Sequence, residues 1–197
     1  RRVLGIGVTG SGAGGADGVC LLWSVAWCPA GSQVPTFTTL AIGRYLVAAG
    51  DCAACHTTEG GQPFAGGRAV PTPFGTIYST NITPDKETGI GAWTNQDFYK
   101  AMHEGVAPDG KRFYPAFPYP WYTKVGAEDV RAIRAYLDVL PAVTQKNLPP
   151  DLPWPLSVRE VMAGWNTPFF HEGTYRSDPG KSPEWNRGAC LVVRRGQ

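Results

Sequence analysis

The chain has 197 residues, of which 43% are hydrophobic, and its 18 Lys and Arg against 16 Asp and Glu give a formal net charge of +2 at pH 7. This composition excludes a disordered polar chain, and so small a charge argues against a nucleic-acid-binding protein. The 25 Gly and 18 Pro residues indicate long loops, so we expect a small helical domain whose core includes a cofactor.

The N-terminal segment, residues 1–37, has the pattern of a targeting element. Arg1-Arg2 supply positive charge, and a mostly apolar or small stretch follows as far as Trp27. This order is typical of a signal peptide or a membrane anchor. Because Asp17 and several glycines interrupt the stretch, a flexible Gly-rich tail is the alternative.

Two helices and a long loop are predicted in the middle of the chain. The first helix runs from about Leu40 to Ala49, where apolar side chains recur at helical spacing. Gly, Pro, Thr and Asn dominate from Gly60 to Gly91, which predicts a loop without regular structure. The second helix begins at Thr94, where Thr94-x-x-Asp97 has the form of a capping box, and ends at Gly105.

The last third of the chain is predicted to hold a helix, a connector and a shorter helix. Apolar residues at helical spacing predict a third helix from about Ala127 to Leu140, ended by Pro141. The Pro-rich stretch that follows indicates a stiff, extended connector. The pattern Ser157-x-x-Glu160 predicts a second capping box, opening a short helix from Ser157 to Trp165.

The motif Cys52-Ala53-Ala54-Cys55-His56 carries the most specific chemistry in the sequence. Two thiols three residues apart on a helical turn can both add to the vinyl groups of one haem, and the next histidine then ligates the iron. A thioredoxin-like redox pair would need a βαβ pattern, which is absent. A zinc site would need a second ligand pair, but the only other histidines are His103 and His171, and Cys190 is remote in the sequence. We therefore predict one covalently attached haem c, with His56 as an iron ligand.

The sixth iron ligand is predicted to be Met102, because a thioether is the usual partner of a high-potential electron carrier. Met102 lies in the second predicted helix, four residues after Phe98 and so on the same face, whereas Met162 lies beyond the connector. The alternative for Met102 is a purely structural role, as a core methionine that fills a gap in the packing. His103, next in sequence, is the alternative ligand and would give a bis-histidine iron.

Some loop residues are candidates for lining the haem or bonding its propionates, although simple loop packing explains each of them equally well. They are Arg68, Tyr78, Trp93 and Tyr119.

Together these patterns predict an all-α fold: a small class I-like cytochrome c domain with long Gly/Pro-rich loops and a C-terminal extension. The haem domain is assigned to residues 38–141, and residues 142–197 to the Pro-rich connector and an aromatic extension. The run from Gly43 to Val47 is echoed from Gly188 to Val192, which suggests the start of a truncated second repeat.

The chain also resembles the cytochrome c subunits of membrane-associated bacterial alcohol and aldehyde dehydrogenases. The stretches that carry the resemblance are GRYLVAAGDCAACHT (43–57), PFGTIYSTNITPD (73–85), TGIGAW (88–93), YPAFPY (114–119) and EWNRGA (184–189). Two features depart from that family. Many relatives have a ligand methionine where this chain has Phe117, and the chain stops where a second C-x-x-C-H motif is expected.

The resemblance implies an electron carrier that is not an enzyme on its own. Its upstream partner would be the catalytic subunit of a quinoprotein or molybdenum dehydrogenase, and its acceptor a quinone or terminal oxidase of the respiratory chain. The implied location is the periplasmic side of the bacterial inner membrane, in contact with the membrane and without nucleic acid. The alternative function is a peroxidase-like haem enzyme, which would follow if neither Met102 nor His103 binds the iron and one iron position is open.

Overall fold

The computed structural model describes residues 36–194, so almost all of the predicted signal- or anchor-like segment lies outside the described residues. The described chain contains helices and one pair of short strands. In chain order they are α1 (Thr36–Ala49), α2 (Cys52–His56), β1 (Ala69–Thr72), β2 (Gly75–Tyr78), α3 (Asn95–Glu104), α4 (Tyr119–Tyr122), α5 (Ala127–Asp138), α6 (Val161–Phe169) and α7 (Pro183–Arg194).

The fold is mostly helical, but the prediction of an all-α fold needs a correction. Within the segment predicted to be a loop without regular structure, β1 and β2 form an antiparallel hairpin in which Ala69 pairs with Tyr78 and Thr72 with Gly75. The turn is closed by Thr72, whose hydroxyl donates to the carbonyl of Gly75 at 2.7 Å. Strands of four residues, one of them interrupted by Pro71, are too short to produce a detectable alternation of apolar and polar residues.

Helices α1, α3 and α5 match the predicted helices, with small differences at their ends. Helix α1 begins at Thr36, earlier than predicted. The capping box of α3 is confirmed, since the Thr94 hydroxyl accepts from Asp97 N at 3.1 Å and the Asp97 carboxylate accepts from Thr94 N at 2.9 Å. Helix α3 ends at Gly105, whose φ of 67° suits a residue without a side chain.

The helix predicted from Ser157 to Trp165 lies further along the chain, at Val161–Phe169, and the predicted capping box is wrong. Glu160 occupies the N-cap position with a helical backbone and no capping side chain. The preceding residues form successive turns instead, with Ser157 N donating to the carbonyl of Pro153 and Val158 N to that of Pro155. Because these turns use the amides that a capped first helical turn would present, the helix begins only after them.

The core forms where α1 packs on α5, and α3 also contacts α5. Gly43 permits this close approach, because a Cβ there would lie 2.0 Å from the carbonyl oxygen of Ala132. The buried apolar cluster between these helices consists of Leu46, Val47, Ile90, Phe98, Met102, Val125, Val130, Ala132, Ile133 and Leu137.

A buried arginine joins α5 to the segment before α3. The guanidinium of Arg134 donates to the carbonyl of Ile90 at 2.9 Å and to that of Trp93 at 3.3 Å. Its charge is paired with the carboxylate of Asp138, one turn further along α5, at 2.9 Å. Since a buried cation needs both charge pairing and hydrogen bonds, this arrangement fixes the loop to the helix in one position.

Residues 142–151, which we call the strap, have neither helix nor strand and lie against the helical domain. At its end the strap adds a bridge to the hairpin, with Thr76 N donating to the carbonyl of Asp151 at 2.9 Å and Asp151 N donating back at 2.8 Å. The segment predicted to be a stiff connector is therefore extended, and it is held along its length by the domain it leaves.

The part of the described extension that follows the strap also contacts the helical domain. The hydroxyl of Tyr119 donates to the side chain of Asn166 in α6 at 2.5 Å, and the Phe170 ring meets the Tyr119 ring edge-on at 5.2 Å. The hydroxyl of Tyr114 donates to the carbonyl of Leu156 at 2.8 Å. Between residues 36 and 194, no helix has the length and apolar character needed to cross a bilayer.

Candidate functional site

The Cys52-x-x-Cys55-His56 motif forms the whole of α2, a single short helix directly after α1. The chain turns between the two helices at Asp51, whose φ of 54° lies in the left-handed region. In α2 the Cys52 and Cys55 side chains are three residues apart and share a face. None of the five residues is fully buried, and both cysteines are free thiols.

The imidazole of His56 is oriented by a backbone carbonyl. Its Nδ1 donates to the carbonyl oxygen of Thr80 at 2.6 Å, which leaves Nε2 as the nitrogen with a lone pair. Partial burial lowers the pKa of His56, and the hydrogen bond to Thr80 opposes this effect. The ring is therefore neutral at pH 7 with Nε2 available to a metal, which is the form that a ligating histidine needs.

The Thr80 carbonyl is itself held in place by close backbone packing. Gly66 N donates to the carbonyl of His56 at 2.7 Å. Gly66 has φ +76°, and a Cβ there would lie 2.4 Å from the carbonyl carbon of Thr80. Only glycine fits between the two segments, so residue 66 fixes the distance between the Thr80 carbonyl and α2.

Tyr122 packs at the start of α2. Its hydroxyl donates to the carbonyl of Gly50 at 3.0 Å, and burial raises its pKa. Burial, with the neighbouring Cys55 thiol as a second cause, raises the pKa of Cys52 to about 12. Cys52 is therefore an uncharged thiol at pH 7, next to apolar and aromatic groups.

A set of half-buried hydrophobic side chains packs against the buried core cluster. They are Ile42, Cys52, Phe64, Ile82, Trp93, Tyr99, Phe117, Tyr122, Tyr136 and Leu140. An exposed Cys55 and a half-buried Cys52 on one helical face, a neutral imidazole with a free Nε2, and half-buried hydrophobic side chains fit a flat, apolar, iron-containing macrocycle. A haem fits these residues.

The two candidates for the sixth iron ligand have different surroundings. Met102 is buried in the same apolar cluster against which Cys52 and Phe117 pack. His103 is also buried, with its ring stacked on Tyr99 at a centroid distance of 4.0 Å. Burial lowers the pKa of His103 to about 4, and its Nε2 has no hydrogen-bond partner among the described residues.

The four loop residues predicted to line the haem or bond its propionates are dispersed. Arg68 is exposed, while Tyr78 and Trp93 are half-buried. Tyr119 is completely buried, and its hydroxyl is already bonded to Asn166. For Tyr119, packing against the extension accounts for its position.

Thr80, Gly66 and Tyr122 position the motif without carrying its chemistry, and none of them was predicted from the sequence. Thr80 and Gly66 act through the backbone, and a residue type gives no signal for a backbone contact 24 residues away. Tyr122 could have been suspected from the aromatic run Trp121-Tyr122 that follows the YPAFPY stretch.

The two alternatives to haem attachment can be compared with residues 36–194. Among these residues there is no group of three or more His, Cys, Asp or Glu side chains that could hold a metal ion. The two described strands are antiparallel neighbours, so the βαβ unit of a thioredoxin-like site is not formed by them.

A sequence model described as cytochrome c matches residues 40–141. The chain belongs to the cytochrome c family. Haem c, bound covalently and containing iron, is the cofactor of this family. The cytochrome carries one C-x-x-C-H motif in the sequence given.

Several curated proteins with similar sequences are named as parts of dehydrogenases. The chain is 51% identical over 150 residues to a subunit of nicotinate dehydrogenase from Pseudomonas putida, an alignment covering 76% of this cytochrome and 13% of the relative. It is 55% identical over 156 residues to the gluconate 2-dehydrogenase cytochrome c subunit of Pantoea cypripedii, covering 78% and 35%.

A third relative is the cytochrome c subunit of the quinone alcohol dehydrogenase of Gluconobacter oxydans, 42% identical over 173 residues, covering 87% of this cytochrome and 36% of the relative. The chain thus spans about a third or less of the length of these curated relatives. This third relative confirms the predicted resemblance to the cytochrome c subunits of alcohol dehydrogenases.

Proposed function

We propose that this class I-type cytochrome carries single electrons from a partner dehydrogenase towards the respiratory chain. Cys52 and Cys55 hold the haem through two thioethers, and His56 ligates its iron through Nε2. The observation that carries the proposal is the hydrogen bond from His56 Nδ1 to the Thr80 carbonyl, because it sets the tautomer and ring orientation of an iron ligand beside two free thiols. When bound, the haem supplies a one-electron redox centre.

The accessibility of α2 supports electron exchange at the surface. None of its residues is fully buried, so the polypeptide does not enclose the attachment helix. A carrier needs this openness to meet two successive partners.

The first experiment concerns attachment. The chain is produced in a bacterium that attaches haem c, denatured and extracted with acidic acetone. We expect the colour to stay with the wild-type chain and to be lost from a Cys52→Ala, Cys55→Ala double variant. Ala53→Ser changes the same helix without touching a thiol and is the matched control. Extractable haem in the wild type would refute the assignment.

Met102 is our proposed sixth ligand, with His103 as the alternative. Met102 is supported by its place in the buried cluster against which Cys52 packs. It is also supported by Phe117, because this residue stands where many relatives have a ligand methionine and its ring cannot bind iron. His103 is stacked on Tyr99, and turning it towards another partner would break this stacking.

The second candidate function is a peroxidase-like haem enzyme, and it is favoured by Phe117, which stands where many relatives have a ligand methionine. If neither proposed residue bound, one iron position would be open to small molecules. Addition of carbon monoxide to the reduced protein separates the two functions. A six-coordinate iron keeps its spectrum, whereas an iron with an open position binds carbon monoxide and its spectrum changes.

The upstream partner is proposed to be the catalytic subunit of a dehydrogenase of the quinoprotein or molybdenum type, because the named relatives belong to dehydrogenases of alcohol, gluconate and nicotinate. The acceptor is a quinone or a terminal oxidase, and the location is the periplasmic side of the inner membrane, at the membrane surface. No nucleic acid takes part.

The extension offers exposed aromatic rings for this partner. Trp154 is 82% exposed and Phe169 is 62% exposed, which is unusual for side chains of this size. Replacing both by Ser should reduce co-purification with the dehydrogenase without affecting haem attachment. Val139→Ser, an equally exposed apolar residue outside the extension, is the control. Unchanged co-purification of the double variant would count against this surface.

A further inference from the structure

The peptide group between Thr80 and Asn81 is held from both sides. Its carbonyl accepts from His56 Nδ1 at 2.6 Å, and its N–H donates to the side-chain oxygen of Asn147, in the strap, at 2.6 Å. Because a trans peptide is planar with its C=O and N–H pointing in opposite directions, two bonds at its ends fix the rotation of the whole plane. The strap therefore forms a hydrogen bond with the same peptide group that orients the His56 ring.

Asn147 is itself oriented by a second bond, since its side-chain amide donates to the carbonyl of Thr88 at 3.1 Å. The buried side chain of Asn81 anchors the strap nearby, donating to the carbonyl of Val143 at 2.7 Å. Gln145 reaches the other side of the site and donates to the carbonyl of Gly66 at 3.3 Å. The strap thus contacts both backbone segments that enclose the His56–Thr80 hydrogen bond.

We propose that Asn147 is a positioning residue for His56, acting through the Thr80–Asn81 peptide; this rests on the proposed function, in which His56 ligates the iron. The Asn147 acceptor polarises the peptide and holds its carbonyl on Nδ1, which strengthens the hydrogen bond from the imidazole. A stronger bond makes the imidazole a better electron donor and favours the oxidised iron. Loss of the acceptor should therefore raise the reduction potential.

The test compares haem-loaded full-length Asn147→Ala with Leu148→Ala. Leu148 is the next strap residue, half exposed and uncharged, so its truncation leaves the charge and the Asn81 bond unchanged. Hydrogen exchange at the Asn81 amide should be about fivefold faster in Asn147→Ala, which corresponds to about 1 kcal/mol for one net hydrogen bond. Its reduction potential should be more positive than that of the wild type. Leu148→Ala should change neither quantity.

A third variant, Asn147→Asp, keeps an oxygen that can accept from the Asn81 amide but loses the N–H that donates to the Thr88 carbonyl. Exchange at the Asn81 amide should therefore lie between that of the wild type and that of Asn147→Ala. The proposal is overturned if Asn147→Ala speeds this exchange while the potential stays at the wild-type value, or if Leu148→Ala shifts the potential equally. Haem attachment is measured first in every protein. Absence of attached haem in the wild type would refute the proposed function, whereas attached haem with an unchanged potential refutes this inference alone.

Discussion

Gly43→Ala tests the packing of α1 on α5 directly. The new Cβ would lie 2.0 Å from the carbonyl oxygen of Ala132 and 2.8 Å from its carbon. Since these are backbone atoms, no rotamer change relieves the overlap, and the helices must move apart. Overpacking of this kind costs about 3 kcal/mol, at the upper end of its usual range, while replacing a helical glycine by alanine returns about 1 kcal/mol. We expect a net loss of about 2 kcal/mol.

The assays are urea unfolding and thermal unfolding of the haem-loaded protein, both followed by circular dichroism. A loss of this size corresponds to a decrease in Tm of about 4–8 °C for a chain of this length. Gly188→Ala is the matched control, because a Cβ at this glycine in α7 meets no atom within 4 Å and should be neutral or slightly stabilising. A Gly43→Ala protein as stable as the wild type would refute the packing argument.

Further predictions concern the iron ligand, acid stability and the extension. Met102→Leu should abolish the methionine-to-iron charge-transfer band of the oxidised protein and lower its potential, whereas His103→Ala should keep the band; the opposite pattern would make the histidine the ligand. Hydrogen bonds from Thr88, above all from its backbone N–H, lower the pKa of Asp85 to about 2. As the pH falls, Asp85 is therefore protonated in the unfolded chain before it is protonated in the folded one. The stability of the fold should decrease between about pH 4 and pH 2. Asp85→Asn should flatten that part of an acid titration followed by circular dichroism. Tyr119→Phe removes the buried hydrogen bond to Asn166 and should lower the free energy of unfolding in urea by about 1–3 kcal/mol. A decrease below about 0.5 kcal/mol would show that the packing of the extension does not depend on this hydrogen bond.

Local patterns in the sequence were enough to predict α3. The Thr94 and Asp97 side chains cap the helix within four residues of each other, and Gly105 ends it, so every determinant lies inside the segment. The motif on α2 is similarly local, which is why its residues could be named before its surroundings were known.

Contacts between distant segments could not be predicted in this way. The bridge of Thr76 to Asp151 and the bond of Asn81 to Asn147 join residues more than sixty positions apart through backbone groups and small polar side chains. Such contacts leave no periodicity, and the Pro-rich composition of the strap indicated only that it would be extended. The hairpin was missed for the same reason, since its short strands are defined by pairing.

Because of the strap, the boundary of the folded domain differs from the boundary of the segment that the family model matches. A fragment that ended at Pro141 would include every residue matched by the family model, yet it would leave the buried Asn81 side chain without the carbonyl of Val143 and the Asn81 amide without Asn147. Unsatisfied buried polar groups of this kind destabilise a fold, so the cooperative folding unit is longer than the segment that sequence comparison recognises. Fragments prepared for spectroscopy or crystallisation should therefore extend at least through Asp151.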